Sequence, residues 1–128
     1  MNAHPTELFL AFALASSGVV HLLPAVGVLS AQRLHGLYGV NAHDAVTLLL
    51  LRHRAVLFGI LGVAFLAAAF LPAWRVGAGG VALFSMLSFV ALAKDGVAVP
   101  SIRRIVRIDV VLSAMLGVAL LLRLFVHG

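Results

Sequence analysis

The chain has 128 residues, room for one domain. Apolar residues make up 63% of it and charged residues 10%, where soluble domains carry about 45–50% and about 25%. Nine Lys and Arg with four Asp and Glu cannot cover the surface of a small soluble fold, which argues against a soluble enzyme, a disordered chain or a nucleic-acid module and for an integral membrane protein. The net charge of +5 then reads as a topology signal rather than as a polyanion-binding surface. With no cysteine, disulfides, thiolate nucleophiles and Cys-ligated metals are out.

Four apolar runs follow one another at about 8–29, 48–71, 76–93 and 103–126. Each is long enough to cross a hydrocarbon core of about 30 Å as a helix. The runs are continuous rather than alternating, so helices are expected over a barrel. The first contains the A-x-A pattern Ala13-Leu14-Ala15, but no basic residue precedes it and it runs on well past that point, so it reads as a span rather than a cleaved leader. After it, Ser30 is placed to cap a short interfacial helix through Arg33 and Leu37, which Gly39 would stop. Asn41 or Asp44 caps the next helix, which would reach Leu71 and exceed the core, so that it must tilt or leave its first turns in the interface. The very short turn around Pro72 and Trp74 makes the second and third spans antiparallel neighbours. Ser101, after Pro100, is the expected N-cap of the fourth span. The fold expected is an all-α, four-helix membrane bundle formed by residues 1–128 as a single domain.

The basic residues divide by connection. Arg33, Arg52, Arg54, Lys94, Arg103, Arg104 and Arg107 flank the first and third connections, and only Arg75 and Arg123 lie at the other end. That bias makes the first and third connections cytoplasmic and places both termini outside.

Membrane helices pack through small residues and hide polar ones. The first span carries Glu7, Leu14, Ser17, Gly18 and His21 on one face; the second carries Ala55, Gly59 and Gly62; the third Ser85 and Ser88; the fourth Asp109, Ser113 and Gly117 at intervals of four. With these faces inward, His21, Arg52 or Arg54, Ser88 and Asp109 meet at one level in the cytoplasmic half. Asp109 needs a cation from another helix: rotation favours Arg52, depth favours Arg54. Pro24 frees the carbonyl of residue 20 and predicts a polar bend beside His21. His35, His43 and His53 lie in loops or at the interface, and no metal site is expected. Phosphate-binding loops, nucleophile elbows and zinc-helix motifs are absent.

The stretches Leu37-Tyr38-Gly39, Arg52-His53-Arg54-Ala55 leading to Gly59 and Gly62, and Asp109 early in the fourth span resemble the DoxX-like superfamily of small four-helix bacterial membrane proteins. The resemblance covers most of the chain and looks closest to members without an assigned activity. It implies a multi-pass protein of the bacterial inner membrane. Some relatives are linked to quinone-coupled oxidation of sulfur compounds, and others bind sterol-like or amphiphilic ligands within the bundle. The expected function is binding of an apolar or lipid-like small molecule in an intramembrane cavity lined from His21, Tyr38, Arg52, Arg54, Ser88, Asp109 and Ser113. A quinone-linked oxidoreductase subunit, a lipid-modifying enzyme using His21 or Asp109, and a structural partner of another membrane protein or of a second copy are the alternatives. No cofactor is identified; the partners expected are membrane lipids and not nucleic acid.

Overall fold

The computed structural model describes residues 4–28, 30–39, 44–95 and 99–127, with the side chains of 26, 27, 31, 34, 37 and 38 outside that description. The described residues form five α-helices: α1 (Pro5–Leu22), α2 (Ala31–Tyr38), α3 (Ala45–Phe70), α4 (Arg75–Leu92) and α5 (Pro100–His127). Short 3-10 segments cover Leu23–Val28, Pro72–Trp74 and Ala93–Asp95. With their flanking turns, α1, α3, α4 and α5 are each long and apolar enough to cross a membrane, at 21, 26, 24 and 28 residues. The regular structure of the described residues is all helical, as the apolar runs predict.

The outside of this bundle is as apolar as its inside. Phe12, Val46, Phe70, Phe84, Leu92 and Phe125 are all more than half exposed. Soluble monomers rarely expose contiguous apolar patches beyond a few hundred Å², whereas a lipid-facing surface carries such residues without cost.

Local signals account for the helix ends. Ser30 accepts from the Arg33 N–H at 3.2 Å, and Gly39 closes α2 in the left-handed region at φ 69°, its N–H donating to His35 O at 2.7 Å. Asp44 Oδ1 accepts from the Thr47 N–H at 2.8 Å. The Thr47 hydroxyl and this backbone donor hold the Asp44 carboxyl below the usual carboxylate range. The alternative cap, Asn41, lies outside the described residues. Starting at Ala45, α3 has 26 residues, about 39 Å, longer than a hydrocarbon core of about 30 Å.

Two boundaries differ from the sequence reading. The first span does not continue as α-helix to residue 29; α1 stops at Leu22 and a 3-10 segment follows. Pro24 has no N–H for the Val20 carbonyl, and the Leu23 N–H takes that carbonyl instead, tightening the backbone. Ser101 is not the N-cap of α5. The helix begins two residues earlier than that cap would allow, with Pro100 at its first position, which proline favours, and the Arg103 N–H reaches back to Val99 O at 3.0 Å.

Packing is centred on α1, which lies against α3, α5 and, more lightly, α4; α4 packs mainly on α5. Leu10, Ala13, Leu14, Phe65, Ala68, Ala82, Met86 and Leu116 form a dry core around it, each at most 1% exposed. The α1–α3 contact is closest at Gly18 and Gly62. A Cβ on Gly62 would sit 2.8 Å from Gly18 O, and one on Gly18 would sit 2.9 Å from Gly62 O. Backbone cannot yield as a side-chain tip can, so both positions must lack a Cβ for the helices to meet. The inner face of α5 runs through Asp109, Leu112, Ser113, Leu116 and Ala119. Gly117, expected inward, instead borders open space.

Candidate functional site

At the end of the bundle where α1 gives way to its 3-10 segment, a cavity of about 330 Å³ remains. It lies between α3 and α5, which scarcely pack on each other. Val20, His21, Leu23 and Pro24 close one side; Arg54 and Phe58 from α3 face Arg104, Ile105, Ile108 and Asp109 from α5; Phe89 of α4 completes the wall. Nine residues separate Ala45 from Arg54 and Pro100 from Asp109, so both charged groups lie about 14 Å along their helices from the shared end. The depth match expected from the sequence therefore holds for His21, Arg54 and Asp109, which line one cavity.

His21 is 2% exposed. Its Nδ1 lies 2.8 Å from Ser17 O and its Nε2 3.0 Å from Ser85 Oγ. A carbonyl only accepts, so Nδ1 carries the hydrogen, and in the neutral ring Nε2 accepts from the Ser85 hydroxyl. The ring stacks on Phe58 at 5.2 Å and meets the edge of Phe65 at 5.0 Å. Both polar atoms and two flanks of the imidazole are thus occupied by the protein, which fixes its orientation.

Arg54 holds its guanidinium 4.5 Å from the centre of the Phe58 ring and 5.4 Å from that of Phe89. Phe58 is four residues on, so it lies beneath Arg54 on the same face of α3. Arg54, rather than Arg52, lines the cavity together with His21 and Asp109. Arg52, Ser88 and Ser113 are not among the lining residues: Ser88 Oγ donates to Ser85 O on its own helix at 2.9 Å, and Ser113 Oγ and Arg52 Nε are buried without a hydrogen-bond partner. Ser85, rather than Ser88, is the serine that reaches across to another helix. The Tyr38 side chain lies outside the described residues.

At the opposite end the structure assembles a cluster that the sequence reading missed. Glu7 Oε2 accepts from Arg75 Nη1 at 2.8 Å. Arg123 Nε lies 2.6 Å from Glu7 Oε1, but its N–H points off that oxygen, so the contact is an ion pair rather than an aligned hydrogen bond. Arg75 also donates through Nη2 and Nε to Ala69 O at 2.8 and 3.3 Å, covering a carbonyl left open where α3 ends. His127 lies 3.9 Å from Glu7 and edge-on to His4 at 5.4 Å. One carboxylate therefore ties together α1, the end of α3, α4 and α5. Among the described residues no group of three or more His, Asp or Glu could hold a metal ion.

No protein-family model, curated protein or solved structure matches the chain.

Proposed function

We propose that this protein is a multi-pass membrane protein, of the bacterial inner membrane, that binds one apolar or lipid-like small molecule in the cavity between α3 and α5. The observation that carries the reading is the cavity itself: mostly apolar walls with His21, Arg54 and Asp109 converging on it, as ligand sites between helices have few and convergent polar groups. The likeness of Leu37-Tyr38-Gly39 and Arg52-His53-Arg54-Ala55 to the DoxX-like superfamily supports it. The contacts to Ser17 O and Ser85 Oγ hold the His21 ring as part of the cavity wall, and an accessory or carrier role is the one proposed.

Lipid extraction and mass spectrometry of protein purified in a non-ionic detergent tests the reading. A single lipid-like species near one per chain is expected in the wild type, and Ile105→Trp, which fills the cavity from α5, should lose it while keeping its helical content. The same lipid profile in both preparations would overturn the proposal.

The orientation belongs to the same proposal. Both termini face outward, with Arg33, Arg52, Arg54, Lys94, Arg103, Arg104 and Arg107 on the cytoplasmic side against Arg75 and Arg123 on the other. A reporter that functions only in the periplasm, fused after Gly128, should be active. Activity of a cytoplasm-only reporter at that position refutes the orientation.

A further inference from the structure

Resting on the cavity reading above, we infer that the occupant is a single-chain anionic amphiphile, with its carboxylate or phosphate at Arg104. The lining holds two guanidinium groups, Arg54 and Arg104, against one carboxylate, Asp109, a surplus of one positive charge in an otherwise apolar space. These charges are not equivalent in depth. Asp109 is 7% exposed, whereas Arg104 is exposed at the rim, five residues nearer the start of α5 and so about 7 Å closer to that end. A negative head at the rim meets Arg104 well before it meets the Asp109 carboxylate. Guanidinium is suited to carboxylate and phosphate because its planar donors match two oxygens at once.

The rim also says how such a molecule is held. The exposed lining residues are Leu23 on the 3-10 segment and Arg104 and Ile108 on α5. The 3-10 segment packs on α3 and α2, with little contact to α5 among the described residues. The cavity therefore opens sideways between Leu23 and Ile108, two apolar residues on the lipid-facing surface. A chain enters from the bilayer plane along that opening while its head stays level with Arg104. The volume, about 330 Å³, is at the low end of ligand pockets, about 300–1,000 Å³, which suits one short chain and not a two-chain phospholipid.

Calorimetric titration of the full chain in non-ionic detergent, with four probes of one chain length, decides the matter. Dodecanoate and dodecyl phosphate represent the two anionic heads, dodecanol the neutral control and dodecylamine the cationic one. At a pH that ionises the carboxylate, at least one anionic probe should bind about tenfold more tightly than dodecanol, the weight of one charge-assisted hydrogen bond. The tighter of the two identifies the head. Arg104→Gln should abolish that preference by bringing the anionic probes down to the affinity of dodecanol, and Ile105→Trp should remove binding of every probe. Equal binding of dodecanol and the anions, or a preference for dodecylamine, overturns the anionic head and leaves the cavity reading intact. A preference that survives Arg104→Gln overturns the placement of the head. No binding by any probe overturns both.

Discussion

Glu7→Gln should destabilise the bundle in detergent by about 3 kcal/mol, the low end of the range for breaking one side of a buried ion pair. The glutamine keeps the shape and removes only the charge. What remains is two guanidinium groups, Arg75 and Arg123, facing the same neutral amide, with side chains 12% and 28% exposed. Their mutual repulsion is then uncompensated, and Arg75 loses the partner that holds it over the Ala69 carbonyl. Adding Arg123→Gln removes the second cation and should recover more than half of the loss. Arg123 is the one to remove because its contact is the unaligned one, while Arg75 also closes the end of α3. If thermal unfolding of Glu7→Gln lies within about 0.5 kcal/mol of wild type, as for exposed pairs, the cluster is screened by solvent and does not fasten these helices.

The Glu7 cluster was within reach of the sequence. Glu7 lies on the inward face of the first span together with Leu14, Ser17, Gly18 and His21, all of which are buried or nearly so. Arg75 opens the third span and Arg123 lies near the end of the fourth, so the three share a depth. The depth comparison that brings Asp109 to Arg54 would bring Glu7 to Arg75 and Arg123. Counting the two arginines only as the minority of a topology bias hid their role, because that count weighs charge by side of the membrane and ignores what each charge faces.

Other parts of the sequence reading held because they rest on local chemistry. The cap at Ser30, the stop at Gly39 and the cap at Asp44 each depend on a hydrogen bond within a few residues. The inner face of α5 depends on phase instead. Asp109, Ser113 and Gly117 are spaced by four, and on a helix of 3.6 residues per turn each such step drifts by about 40°. By Gly117 the row has rotated out of the bundle, and Leu116 and Ala119 take the inner face. Choosing between Arg52 and Arg54 needed the break in α1 as well. That break opens the space beside Phe58 in which the Arg54 guanidinium lies, and no spacing within α3 reports where α1 changes pitch.

Arg54→Gln should cost more stability than Asp109→Asn, and the difference measures what holds the charged floor of the cavity. Asp109→Asn removes the carboxylate that shares the cavity with Arg54, yet leaves Arg54 over the Phe58 and Phe89 rings at 4.5 and 5.4 Å. Cation–π contacts of that kind contribute about 0.5–2 kcal/mol, which cushions the loss, so about 2 kcal/mol is expected for Asp109→Asn, below the 3–5 kcal/mol of an unsupported buried charge. Arg54→Gln removes the ring contacts and also leaves a carboxylate 7% exposed with only the rim guanidinium of Arg104 as a countercharge in the cavity lining. About 3–4 kcal/mol is expected there, as two effects of the same sign. The double variant should lie near or above Arg54→Gln alone in stability, because the second change relieves a buried charge rather than creating one, and a coupling energy of about 2 kcal/mol or slightly more should appear in the cycle. Unfolding in detergent of the four proteins reads all three quantities at once. Additive losses with no coupling would mean that Arg54 and Asp109 line one cavity without acting on each other. Asp109→Asn costing more than Arg54→Gln would mean that the rings contribute little and that the carboxylate, not the arginine, is what the walls of the cavity are built to hold.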